Sequence, residues 1–251
     1  MIGHGRRELN LARLEKKRRF INKRLERQRL RINDQFDRQE ALISHHLNHK
    51  QEEIIAAALV LLDADGLTNL SLRKLADSLD MQAPGLYWHF KNKEILIDYL
   101  AEDILKKEFK GLQPRSDDES WQDWLSKTMN RLRSVMLAHK DGARIVAGAH
   151  LYPAVTLGNL YELSIRSLHE AGLSLEDSLH IVTTTTTYTF GYVIEEQSSP
   201  SIGSFGDQLN ALGQEYPTIA KAIKASKQHN PTNNRVPDFN VGLQLIINGA
   251  K

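Results

Sequence analysis

The most constraining stretch of this chain lies between Gly66 and Asn92, where apolar spacing and chain breakers leave room only for two very short helices around a tight turn. Ile54, Ala58, Leu61 and Leu62 first form an apolar helical stripe, which Gly66 ends. Ser71 is placed to cap a second helix carrying Leu72, Leu75, Ala76 and Leu79. After a turn at Asp80-Met81, Pro84 stands where a third helix begins, a position at which its missing N–H is not needed. Asn92 then caps a fourth helix through Ile95, Leu96, Tyr99, Leu100 and Ile104.

The third of these helices has the wrong composition for a core element. Gln82-Ala83-Pro84-Gly85-Leu86-Tyr87-Trp88-His89 offers one aliphatic anchor, Leu86, and otherwise small, polar or aromatic groups. Two short helices about a turn, the second so equipped, have the layout of a helix-turn-helix. Small groups at Ala83, Pro84 and Gly85 permit close approach to base edges, and Gln82 can pair with adenine. Tyr87, Trp88 and His89 suit the sugar-phosphate backbone, Lys91 and Lys93 supply charge for phosphates, and Arg73 is placed to reach a guanine. With Ser71 at the cap, these are the candidate DNA-binding residues.

Charge distribution agrees. The net charge is only +2. Residues 1–50 nevertheless hold 14 Lys/Arg against 6 Asp/Glu, and the remainder holds 19 against 25. A basic head on an acidic body is a footprint of nucleic-acid binding. From Leu9 to Leu47 there is no Gly or Pro, and Leu11, Leu14, Ile21, Leu25, Ile32 and Leu42 follow one heptad seam, interrupted by Arg18, Gln28, Gln35 and Gln39. This arm reads as a helix for self-association, with DNA-backbone contact and a plain solvated helix as the alternatives. His45, His46 and His49 have no cysteine or carboxylate cluster beside them, so no metal site is expected.

Cysteine is absent, which excludes disulfides, zinc-thiolate sites and thiol catalysis. No apolar run approaches the ~20 residues of a membrane span, and no signal-peptide core opens the chain. A cytoplasmic protein is expected. There is no Gly-x-Ser-x-Gly elbow, no phosphate-cradling glycine loop and no metal-ligand spacing, so no catalytic residue and no cofactor are assigned.

Past a linker at residues 111–116 the pattern is again mostly helical. Trp121, Leu125, Met129, Leu132 and Met136 form one stripe; Leu157, Leu160, Tyr161, Ser164, Ile165 and Leu168 form another, closed by Gly172. Residues 178–194 conflict with this, because Ile181-Val182 and the five threonines Thr183–Thr187 favour strand. Residues 203–213 and 229–234 read as loops, and Val241–Ile247 as a last short apolar element.

At Gly66-Leu67-Thr68-Asn69-Leu70-Ser71-Leu72-Arg73-Lys74-Leu75-Ala76 and Leu86-Tyr87-Trp88-His89-Phe90-Lys91-Asn92-Lys93, the chain resembles the TetR family of one-component regulators, and the Tyr-Trp-His triplet leans toward the tetracycline repressors. Weaker similarity continues through Asp141-Gly142-Ala143, Gly172-Leu173-Ser174-Leu175 and Glu195-Glu196-Gln197 to Gly242-Leu243. The resemblance covers about residues 50–250 and leaves out the arm. It implies an all-α fold: a basic extension at 1–48, a three-helix DNA-binding domain with its connecting helix at 49–110, and an effector-binding and dimerisation domain at 115–251. It further implies a homodimer on a palindromic operator, released when a small molecule enters the C-terminal domain, with the threonine run in a long helix of the dimer bundle. A non-specific nucleic-acid binder or scaffold working through the arm is the alternative.

The resemblance also implies effector contacts at Phe109, Thr128, Leu132, Val146, His150, Leu151, Ser164 and Glu195. Tetracycline repressors hold a magnesium–drug chelate with a histidine, where this chain has Val146, and with an Arg-Pro turn, where it has His150-Leu151. Phe109 and Thr128 stand where a histidine and an asparagine face the drug, and Leu132 replaces a phenylalanine. Among the acidic contacts Glu195 alone remains. The expected effector is therefore more apolar and binds without magnesium.

Overall fold

The structure, a computed structural model, describes residues 48–109, 111–198, 213, 215–229 and 235–250, together with Arg13, Lys16, Lys17, Arg19 and Lys23. The chain divides into two compact units, 1–48 and 49–251. In the first, Arg13, Lys16, Lys17, Arg19 and Lys23 are helical and exposed, and Asn48, the last residue of the unit, is exposed and outside any helix. The heptad seam, His45 and His46 lie outside the described residues, as do most of the two expected loops.

In the second unit every regular element among the described residues is a helix. They are α1 (His49–Asp65), α2 (Leu72–Ser78), α3 (Ala83–His89), α4 (Lys93–Phe109), α5 (Trp121–Leu137), α6 (Gly142–Ala147), α7 (Val155–Glu170), α8 (Leu175–Ser198), α9 (Pro217–His229) and α10 (Arg235–Gly249). The start and stop signals work as chemistry requires. Ser71 Oγ accepts from the N–H of Lys74 at 3.2 Å, and Asn92 Oδ1 accepts from the N–H of Ile95 at 2.9 Å. Gly66 adopts φ +83°, a left-handed conformation that closes α1.

The head is a small bundle in which α1 packs on α2 and α4, and α2 packs on α3. Its core is Ile54, Ala58, Leu62, Leu75, Leu86, Phe90, Leu96 and Leu100. α4 runs on into the C-terminal helices, where it meets α5, α6 and α7; α8 packs on α5, α6, α7 and α10.

The threonine run is helical, against its local preference, and its burial explains why. Thr185, Thr186 and Thr189 are fully buried. Their hydroxyls cannot reach water, and a helix supplies acceptors one turn back: Thr185 donates to Ile181 O at 2.8 Å and Thr189 to Thr185 O at 2.7 Å. Tertiary burial against α5 and α7 overrides a β propensity worth only ~1 kcal/mol.

α8 and α10 cross closely at Gly242. A Cβ there would lie 2.1 Å from the Tyr188 hydroxyl oxygen and 2.7 Å from its ring carbon. Tyr188 cannot swing aside, since it stacks on Phe239 at 5.4 Å and donates to Phe239 O at 3.0 Å. Burial pushes its phenol up to about 12, so it remains a donor throughout the neutral range. Gly242→Ala is therefore expected to force α10 off α8 and to destabilise the fold by about 1–3 kcal/mol. Thermal unfolding checks this, and an unchanged midpoint would show that the crossing has slack.

Candidate nucleic-acid interface

α3 is anchored from one side only. Leu86 is 0 % exposed and Phe90, just past the helix, is also 0 %, whereas Tyr87 is 51 % and Trp88 80 % exposed. An indole left that far in water costs free energy unless something covers it in the working state. Gln82, Pro84 and Gly85 are exposed and Ala83 half-exposed, so the leading end of α3 is a shallow, open surface. The nearest atom to a Cβ on Gly85 would be Met81 Cε at 3.8 Å, so no neighbour crowds this face. Gln82 is the N-cap residue but makes no side-chain cap bond. Its amide is therefore not committed to capping the helix it begins.

His89 is half-buried, its ring edge-on to Trp88 at 5.1 Å and its Nδ1 buried without a hydrogen-bond partner. Its carbonyl accepts from Gln51 Nε2 at 3.5 Å, which ties the end of α3 to α1. Arg73 and Lys91 are exposed beside this surface in sequence. Ser71 and Lys93 have structural work instead. Ser71 caps α2, and Lys93 Nζ donates to Leu67 O at 2.8 Å, fastening the start of α4 to the turn after α1.

The other set of site residues falls into two groups. Phe109, Thr128, Leu132, Val146 and Ser164 are all buried, on α4, α5, α6 and α7, helices that pack on one another. Phe109 lies under the Arg131 guanidinium at 5.1 Å. Thr128 already donates to Trp124 O at 2.8 Å, while Ser164 Oγ is buried without a partner. Three residues stand apart from this group. Leu151 is 55 % exposed. The ring of His150 is mostly exposed, with Nδ1 3.2 Å from the Asp98 carboxylate. Glu195 is exposed on α8, in a cleft of about 920 Å³ shared with Thr183, Thr187, Tyr188, Tyr192 and Asp238.

Asp98 is the residue that pattern reading missed. It is buried in the middle of α4 and accepts from the His150 N–H at 2.8 Å. The available signal was a lone carboxylate in the run Ile95-Leu96-Ile97-Asp98-Tyr99-Leu100-Ala101. Among the described residues no group of three or more His, Cys, Asp or Glu gathers as a metal site, and no helix is long and apolar enough to cross a membrane.

Residues 54–100 match the family described as bacterial regulatory proteins, tetR family, and residues 113–251 match the one described as tetracyclin repressor-like, C-terminal domain. The class A tetracycline repressor protein from transposon 1721 of Escherichia coli is 36% identical over 198 residues, 78% of this chain and 88% of that protein. Among solved structures, a TetR variant from Acinetobacter baumannii AYE in complex with minocycline superposes with a TM-score of 0.62 at 31% identity, over 81% of this chain and 92% of that one. BioQ with its double-stranded DNA operator gives 0.52 at 30% identity, over 68% and 98%.

Proposed function

This chain belongs to the TetR family of bacterial regulatory proteins, and on that premise we propose that it is a cytoplasmic repressor that binds a palindromic operator as a homodimer and is released by a small, mainly apolar effector. The observation that carries the proposal is α3: a helix held by one buried leucine, with Tyr87 and Trp88 turned into solvent beside the uncommitted amide of Gln82. That surface fits the major groove, which admits a helix and displays a distinct pattern for each base pair.

Three regions divide the work in this reading: the extension at 1–48, the DNA-binding head at 49–110 and the C-terminal domain at 115–251. Two copies associate through α8 and α10, where Leu179, Val241 and Leu245 lie exposed on otherwise packed helices. The chain acts by binding alone and carries no chemical step. The relative solved with operator DNA supports the partner, and the relative solved with minocycline supports a small-molecule effector. Selection from random duplexes tests the DNA reading: an enriched inverted repeat supports it, and recovery without any shared sequence would instead favour a non-specific binder working through the arm.

The effector differs from a magnesium chelate in this proposal. Val146, Leu132 and Phe109 present carbon, and Ser164 alone of the buried set offers an unsatisfied polar atom. Such a surface selects a ligand with a large apolar body and one hydrogen-bonding group. Magnesium with minocycline is accordingly expected not to release the operator, and effector binding is expected to survive EDTA. Fluorescence anisotropy of labelled operator checks both, and release by the magnesium complex at micromolar drug would contradict the assignment.

A further inference from the structure

The family likeness begins at residue 54 and leaves the basic arm without a task. What is described of the arm before Asn48 is a run of cations. Arg13, Lys16, Lys17, Arg19 and Lys23 are all helical and all exposed. At 3.6 residues per turn the five fall within one arc of about 160°. Glu15, the acid of that stretch, falls outside the arc by the same count. In sequence, Arg24, Arg27 and Arg31 recur at spacings that continue it. The seam positions Leu11, Leu14, Ile21 and Leu25 are spaced to the opposite side, so pairing of two arms through the seam leaves the cationic side free.

Among the described residues nothing neutralises these charges, and none of the five side chains takes part in an ion pair. Arg13 with Lys16 and Lys17, Lys16 with Arg19, and Arg19 with Lys23 stand three or four residues apart, where like charges on a helix destabilise by about 0.2–0.5 kcal/mol per pair. Such a face gains when a polyanion covers it. The rest of the chain is a poor one, since its surplus of acids, 25 against 19 bases, is spread over residues 51–251. A lipid surface fits less well, because residues 9–47 hold no tryptophan to enter it. Duplex DNA carries one negative charge per ~1.7 Å of its axis and matches the density of the cations.

We propose that Arg13, Lys16, Lys17, Arg19 and Lys23 form a second DNA-binding surface, which grips the phosphate backbone beside the operator and reads no sequence. The proposal rests on α3 being the reading element, because α3 is what brings a duplex to the chain. Residues 24–47 separate the two surfaces in sequence. Even at the compact helical rise of ~1.5 Å per residue they reach about 36 Å, one turn of duplex. α3 then supplies discrimination and the arm supplies hold. Contacts to phosphates add affinity equally for every sequence, and that affinity falls steeply with salt.

The test is the full chain with all five cations changed to glutamine, titrated by anisotropy across a salt series. Three labelled duplexes are used: the selected inverted repeat with long flanks, the same repeat trimmed of its flanks, and a scrambled sequence of the longer length. Each phosphate contact contributes about 0.9 to the slope of log affinity against log salt, so the slope on the long duplexes is expected to fall by about 4 per chain. Affinity for both long duplexes drops by about tenfold or more at physiological salt, and the preference for the repeat over the scramble stays the same. The trimmed repeat binds both proteins alike. Arg13→Lys with Arg19→Lys keeps the charge and the slope. An unchanged slope in the glutamine variant overturns the proposal, as does a slope lost in the lysine variant. Equal loss on the trimmed and long repeats means that the substitutions act through the head or through pairing of copies, and also overturns it. If the unsubstituted protein prefers no duplex over the scramble, the α3 reading fails instead, and the slope on the scramble alone decides the arm.

Discussion

Replacing Gln82 and Tyr87 together with alanine is expected to abolish discrimination between operator and random duplex while leaving the protein folded and its weak, salt-sensitive DNA binding intact. Each good base-edge contact is worth about 1–3 kcal/mol. Losing that of Gln82, together with the backbone contact by which Tyr87 holds α3 in register, gives roughly 10²- to 10⁴-fold, a large part of the margin that separates specific from non-specific binding. The fold survives because neither side chain supports it: Tyr87 is half in solvent and Gln82 caps nothing. Leu86→Ala makes the contrast, since it empties the one buried contact of α3 and should melt the head by about 2–5 kcal/mol. Anisotropy titrations on operator and scrambled duplexes across a salt series read the difference. If the double variant still prefers operator by its original ratio, α3 is not the reading element.

Arg133→Ala is expected to have the largest effect on stability, about 3–5 kcal/mol. The guanidinium makes a two-pronged contact with Glu196, with Nη2 at 2.6 and 2.8 Å from the two oxygens and Nε at 3.1 Å from one of them. Both side chains are largely shielded, at 7% and 16% exposure. The same guanidinium lies 5.5 Å from the Phe239 ring, so it links α5 to α8 and α10 together. Removing it strands the Glu196 carboxylate in a poorly hydrated place and opens a gap over Phe239. At about 2–4 °C per kcal/mol for a chain of this size, the unfolding midpoint should fall by roughly 10 °C. Arg133→Met with Glu196→Gln should recover much of the loss, because no lone charge is left behind. A midpoint within a degree or two of the original for Arg133→Ala would show that water reaches Glu196 freely.

How legible all this was depends on whether the cause was local. Ser71, Asn92, Gly66 and Pro84 act within a few residues of themselves, so their roles as cap, cap, stop and start could be read directly, and the structure bears them out. The aromatic triplet was legible for the same reason, since a short helix with one anchor must leave its other faces open. Thr183–Thr187 was not, because its helix depends on α5 and α7 burying Thr185, Thr186 and Thr189, which no window of local sequence contains. There the family resemblance supplied what propensity could not. Asp63 and Asp98 are the extreme case: their partners, His139 and His150, lie 76 and 52 residues away, and on a helical wheel they are only a surface acid and an interruption. Lys93 is instructive in the opposite sense. Sequence alone casts it as phosphate charge, and folding turns it toward a carbonyl at 2.8 Å.

Everything functional depends on α3 entering the wide groove of duplex DNA. A structure of the dimer on its selected inverted repeat tests this most directly. The account expects the two copies of α3 in successive major grooves, about 34–36 Å apart, with Gln82 against base edges and Tyr87 and Trp88 along the backbone. A complex in which those aromatic tips face away from the duplex, or in which DNA is held by another surface while α3 stays in solvent, would contradict it.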